Sequence, residues 1–218
     1  MKICVSDYKD LNAIAKVHQL AFPNHLSSAL GRAFIEKTLT WYLQNPKNGF
    51  LLHLEDNGRI IGYVTGFYND GTLKYGSATT IGQFAFKVAL FSFVKRPWLL
   101  FHHEIRKKWK LLFKQFYVKI SSFQKKKTKS NSILTVINVV SSKFCGLLSI
   151  GVDPSAQQKG FGSILIQAFE KTAFEKFKVN QFKLSVRSDN MKARNSYLRN
   201  GWVLNFQKDG NCEMVKSI

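Results

Sequence analysis

From Gly151 to Lys176 the chain reads GVDPSAQQKGFGSILIQAFEKTAFEK. An apolar, strand-like run leaves through Asp153 and Pro154, passes two glutamines and two glycines spaced two apart, and enters a long stretch of helical period. A strand-to-helix turn of this kind aims several backbone N–H groups at one spot, because the first turn of a helix has donors without internal partners. Glycines let the backbone approach a ligand closely, and the helix N-terminus adds about half a positive charge, so a phosphate group is a suitable occupant. The third glycine of the dinucleotide fingerprint and the Lys-Ser/Thr of the P-loop are both missing. On this pattern alone, phosphate binding and tight helix-to-sheet packing remain open alternatives.

The rest of the chain alternates strand and helix signals. Ile3–Val5 predicts a short strand, and Ser6-Asp7 with Asp10 an N-cap leading into a helix through Leu11, Ile14, Val17 and Ala21. A second helix is expected to begin after Ser27-Ser28 and to stop at Asn45-Pro46. Residues 50–67 have the form of a hairpin around Asn57-Gly58, whose turn needs positive φ angles. Helices are expected over 79–94 and, from Pro97, as one long amphipathic stretch in which Trp98, Phe101, Ile105, Trp109, Leu112, Phe116 and Ile120 advance by three or four; residues 121–132 read as a solvated loop. Strands at 145–152 and 181–187, helices at 160–177 and 191–200, and a closing hairpin around Lys208-Asp209-Gly210-Asn211 complete the order. Strands alternating with helices predict an α/β or α+β domain spanning 1–218.

With 218 residues and 45% hydrophobic content there is ample material for a packed core, which excludes a disordered chain. No run of 18 apolar residues predicts a spanning helix. Cys4, Cys145 and Cys212 are odd in number, far apart and at neither metal nor redox spacing, so no metal is expected and a reducing, cytoplasmic location is. Net charge is +20 and unevenly spread: residues 74–143 hold 15 of the 33 basic side chains and only one of the 13 acids, Glu104.

A second motif follows the first by about thirty residues. Asn190, Ala193, Tyr197 and Gly201-Trp202 couple a residue near a helix start to a tyrosine one turn before the glycine that ends the helix. Together with Val152-Asp153-Pro154 and Gln157 to Gly162, this resembles the GNAT N-acetyltransferase superfamily, whose cofactor motif is Q/R-x-x-G-x-G/A after V-x-P and whose later motif is N-x-x-A-x-x-x-Y-x-x-x-G-F, here with Trp202 in place of Phe. The resemblance implies an acyl-CoA N-acyltransferase fold: a mixed, mostly antiparallel, splayed sheet flanked by helices, with residues 71–143 as a basic, aromatic helical insertion between the third and fourth strands. It also implies acetyl-CoA as co-substrate. The backbone of Ile150, Gly151 and Val152 would hold its pantetheine arm, and the amides of Gln157, Gln158, Lys159, Gly160, Phe161, Gly162 and Ser163 would cradle its pyrophosphate. Lys159 adds a mobile cation, Asn190 reaches the pantetheine or its phosphate end, and Tyr197 protonates the departing thiolate. Asn190 is at the same time a natural helix cap, and Tyr197 has the plain alternative of packing on the sheet.

The resemblance implies a primary amine of a small molecule as acceptor, and its attack on a thioester needs a base. The fourth strand carries no Asp or Glu, so the acid some GNAT enzymes place there is absent; His25, His53 and Glu55 are the candidates by position. His18 to Pro23, Leu30-Gly31, Phe34 and the basic insertion resemble a branch of GNAT proteins found with bacterial surface-polysaccharide genes, which implies an amino-sugar acceptor. The insertion has three readings: a cover over the substrate side of the sheet, a contact with the inner face of an anionic membrane, or a nucleic-acid surface, for which no recognisable module is present. The competing reading of the whole chain is a basic membrane-surface or nucleic-acid-binding protein with a degenerate acetyl-CoA site. A monomer and a homodimer both fit the sequence.

Overall fold

The computed structural model describes residues 1–71, 77–106 and 143–218. Seven strands form one sheet in the order β1-β2-β3-β4-β5-β7-β6, where β1 is Lys2–Val5, β2 Gly49–Asp56, β3 Arg59–Asn69, β4 Phe144–Val152, β5 Gln181–Arg187, β6 Val203–Lys208 and β7 Asn211–Ser217. Every neighbouring pair is antiparallel except β4 and β5, which are parallel.

The helices follow from caps and breakers. Asp7 and Asp10 form a reciprocal capping box around a 3₁₀ turn, and α1 (Leu11–Ala21) continues from it until just before Pro23. The single helix expected after Ser27-Ser28 is instead two, α2 (Leu26–Leu30) and α3 (Arg32–Gln44). Gly31 separates them with φ +98, a conformation that other residues rarely adopt. The β2–β3 hairpin turns on Asn57 and Gly58, both at positive φ, as its type requires. After β3 comes α4 (Ser77–Lys95). Pro97–Phe101 is a 3₁₀ turn rather than the first part of a long helix, and His102 leaves it with extended backbone before His103–Arg106 turn helical again. The remainder of that expected helix, and the loop expected at 121–132, lie outside the described residues. α5 (Phe161–Phe177) and α6 (Met191–Arg199) follow among the described residues. No helix among the described residues is long and apolar enough to cross a membrane.

The sheet buries both faces. Along β2, Phe50, Leu52 and Leu54 point to one side and Leu51 to the other, as the two-residue period of a strand dictates. The first side packs on α5 through Leu165, Ile166 and Phe169, and the second on α1 and α3 through Ile14, Ile35 and Trp41. Trp202 fills the first core, and its indole N–H donates to Glu170 Oε1 at 2.8 Å, while Lys216 Nζ meets Glu170 Oε2 at 2.7 Å. That bond gives a reason for an indole at this position, since phenylalanine has no N–H to offer the buried carboxylate.

The second face contains a polar chain. His18 Nδ1 lies 2.6 Å from Tyr63 Oη, which lies 2.6 Å from Ser149 Oγ; His18 Nε2 is 2.8 Å from Ser27 Oγ. Burial first, and then the neighbouring His25, push the His18 pKa down to about 4. In the unfolded chain it would titrate near its ordinary value of about 6.5. Between these values the unfolded state binds the extra proton, so the stability contributed by neutral His18 is complete above pH ~6.5 and is lost as pH falls toward 4. Urea unfolding at pH 7 and 4.5 should therefore show an acid-induced loss that is smaller in His18→Gln by on the order of 2 kcal/mol. Equal losses in both proteins would contradict this assignment.

Candidate active site

β4 and β5 pair only at Cys145 with Phe182, Gly146 with Lys183 and Leu147 with Leu184. Beyond that point β4 stays with β3, from Ser149 opposite Thr65 to Val152 opposite Gly62. β5 instead stays with β7, from Ser185 opposite Glu213 to Arg187 opposite Asn211. The register of β3 against β4 skips Leu148, a bulge that bends the strand where its parallel partner leaves. The two halves of the sheet thus part, and a cleft of about 610 Å³ opens between them.

Its floor and rim collect the residues that the sequence singles out. Ile150, Gly151, Val152, Gln157, Gln158, Gly160, Phe161, Gly162, Ser163, Asn190 and Tyr197 all line it. Lys159 does not, although it lies in the same loop. Asp153 holds the loop in place: it accepts from Ser155 Oγ at 2.7 Å and Ser155 N at 2.9 Å, and pairs with Arg59 Nη2 at 2.6 Å. These contacts, Ser155 foremost, keep its carboxyl below the usual range. Gln158 at φ +67 and Gly160 at φ +80 then curl the chain into α5.

The curl leaves its donors free. Among the described residues, the amides of Gln158, Lys159, Gly160, Phe161 and Gly162 have no hydrogen-bond acceptor, whereas Gln157 N is used by Pro154 O and Ser163 N by Gly160 O. Within the expected span from Gln157 to Ser163, the two end amides are thus already paired. Packing does not explain Gly162, since a Cβ there would meet only Ser196 Oγ, at 3.9 Å. Of the two readings of the glycine pair, tight helix-to-sheet contact is thus disfavoured. Four of these five residues, all but Lys159, line the cleft, and unpaired N–H groups clustered at a helix start are the arrangement that binds an oxyanion.

Side chains knit the rim. Gln157 Nε2 donates to Val152 O at 3.0 Å while its Oε1 accepts from Lys192 Nζ at 2.6 Å, tying the end of β4 to α6. Asn200 Nδ2 donates to Ser163 Oγ at 2.9 Å, which joins the end of α6 to the start of α5. Asn190 caps α6 through an Oδ1 bond from Ala193 N, and its Nδ2 has no partner among the described residues. Tyr197 is buried against Trp202, ring centroids 6.0 Å apart, and burial pushes its phenol up to about 12.

The lining of the cleft is cationic, with Asp189 and Glu104 near Arg187 but outside the lining. Arg187, Lys192 and Arg199 line it together with His25 and His103, and no carboxylate does among the described residues. Arg187 is paired with Asp189. Of the proposed bases only His25 lies in the cleft. His53 is buried at the β1–β2 edge, bonded to Ser6 Oγ at 3.0 Å and 3.8 Å from Asp10, and Glu55 stands opposite Lys2 on the same edge. Sequence reasoning passed over His103, Arg187, Lys192, Arg199 and Asn24 as site residues, and took Ala21 to Pro23 only as part of a family resemblance. The three cations flank Asn190 and Tyr197 closely in sequence, which was a usable signal, whereas the ends of α1 and of the 3₁₀ turn reach the site only through the fold.

The family model described as acetyltransferase (GNAT) family matches residues 127–202. No curated protein matches the chain. Among solved structures it is similar to the PaiA N-acetyltransferase of Thermoplasma acidophilum in complex with coenzyme A, at 13% identity and TM-score 0.57, covering 100% of this chain and 98% of that one. It is similar as well to an acetyltransferase of the GNAT family from Streptococcus pneumoniae, at 15% identity and TM-score 0.56 over 100% and 98% of the two chains. A third is the ribosomal-protein-S18-alanine N-acetyltransferase of Escherichia coli, at 16% identity and TM-score 0.54 over 100% and 93%. The splayed sheet, the glycine turn and the structural matches together identify the fold as the GNAT fold, and the GNAT acetyltransferase family model matches its part from 127 to 202.

Proposed function

We propose that this cleft binds acetyl-CoA and passes its acetyl group to the primary amine of a small molecule, an amino sugar of a surface-polysaccharide pathway. The observation that carries the reading is the run of unpaired amides from Gln158 to Gly162 at the start of α5, of which all but that of Lys159 belong to residues lining the cleft. A diphosphate fits that donor set, and Lys192 and Arg199 add unopposed positive charge. The solved PaiA relative holds coenzyme A. Asn190, with its free Nδ2, faces the same cleft.

Acetyl-CoA supplies an activated thioester. The chain's own residues orient it and manage two protons. The edge of β4 at Ile150–Val152, which β5 has left and where Gln157 Nε2 meets Val152 O, offers strand-type hydrogen bonds to an extended arm. Tyr197, which lines the cleft and has its phenol raised to about 12, keeps its proton at neutral pH and gives it to the departing thiolate. Free thiols titrate near ~8.5 and phenols near ~10, and burial raises both, so the gap between them stays modest. His25, in the cleft at the start of α2, accepts the proton that the amine loses. The insertion, as the basic part of one 1–218 domain, brings this site to the inner face of an anionic membrane.

Calorimetric titration with acetyl-CoA tests the binding step. Gly162→Ala should leave the melting temperature unchanged or slightly raised, because alanine suits a helix better and its Cβ meets only Ser196 Oγ at an ordinary 3.9 Å, while weakening acetyl-CoA binding by about tenfold or more. Undiminished affinity in that variant would remove the diphosphate from this turn. A turnover screen across amino sugars, polyamines and peptide amines identifies the acceptor. With the best acceptor, Tyr197→Phe should lower kcat roughly 100-fold with acetyl-CoA affinity nearly unchanged, and full activity would reassign the proton donor.

A further inference from the structure

α4 is apolar on two sides. Ile81 and Ala85 are buried, on the side that meets α3. Phe86, Leu90 and Val94, one turn apart, are exposed on the outer side with Phe91 beside them. The exposed run continues into the 3₁₀ turn, where Trp98 is 64% and Phe101 68% accessible. A contiguous row of large apolar side chains in water marks a surface that meets something else.

Its charge says what. Lys87, Lys95 and Arg96 border the row, and Lys95 Nζ sits 4.5 Å over the Phe91 ring. The one acid between residues 77 and 106 is Glu104, which already accepts from Leu26 N. Two copies meeting on this face would bring like charges together on a chain of net charge +20. An anionic lipid surface satisfies both features: the aromatic and aliphatic groups enter the headgroup boundary, while the lysines and arginine stay at phosphate level.

We propose that the outer face of α4 and the 3₁₀ turn after it seat the protein on an anionic bilayer. The segment is fastened to the body of the molecule by Arg96 Nη1 donating to Ala29 O at 3.1 Å and by the Glu104 contact to Leu26 N, so its seating fixes the orientation of the whole domain. His103, two residues past Phe101, lines the cleft. Taken with the proposed transfer site, on which this consequence rests, the seating turns the acceptor mouth toward the headgroups and favours an amine carried on a lipid.

The test is sedimentation of the full chain with phosphatidylcholine vesicles, with and without about 30% phosphatidylglycerol. Wild type should bind the anionic vesicles at least roughly tenfold better. A Leu90→Glu, Val94→Glu double variant should lose about tenfold of that partitioning, while Val5→Glu with Val203→Glu, equal in charge and placed on exposed strand positions, should keep most of it. Both should retain the wild-type melting temperature and acetyl-CoA affinity, so a failure here leaves the cofactor reading standing and the reverse also holds. No anionic preference, or equal loss in the two variants, would overturn the proposal. So would light scattering that shows a dimer dissolved by the first variant with vesicle binding unaltered.

Discussion

β4 has two neighbours and can satisfy only one of them along its full length. After Leu147 it remains hydrogen-bonded to β3 while β5 turns away with β7, and the bulge at Leu148 marks the divergence. One edge of β4 is thereby left unpaired inside the molecule, where an unsatisfied backbone is costly unless water or a ligand meets it. The remaining features of the site are arranged around this gap. The loop from Asp153 to Gly160 carries the chain across its mouth, α5 begins at its end with free amides, and α6 brings Tyr197 to its wall.

The same geometry explains why the residues around the cleft are knit so closely. A split sheet has lost the ladder that would hold its halves together, and side chains take over that task. Gln157 links Val152 to Lys192, Asn200 links α6 to Ser163, and Glu170 joins Trp202 to Lys216. Gln157 is thus a brace as well as a motif residue, and its own amide belongs to the turn. The cleft is lined by cations, with no carboxylate among the described residues, so the charge arrangement favours a polyanion before any specific contact forms.

Much of this could be read in the sequence because it depends on local backbone chemistry. Asn57-Gly58 announced the hairpin, Asp7 with Asp10 the capped entry to α1, and Gly160-Phe161-Gly162 the start of α5. What escaped depends on context or distance. Gly31 stands between two helical patterns that read as one, and only its φ of +98 divides them. Pro97 starts a 3₁₀ turn because the extended backbone at His102 stops an α-helix from forming there. His53 was a reasonable base by chemistry, yet register places it beside Cys4 at the far edge of the sheet. His103 could not be assigned from its neighbours, since the path back from α4 decides that it faces the cleft.

Central to the account is that the amides of Gln158 to Gly162 were left unpaired to hold a diphosphate. A crystal structure of the protein with coenzyme A measures this directly. The account predicts diphosphate oxygens within about 3 Å of at least three of those nitrogens, with the pantetheine arm along Ile150–Val152. A diphosphate bound elsewhere, or the turn closed on itself with coenzyme A present at saturation, would contradict it.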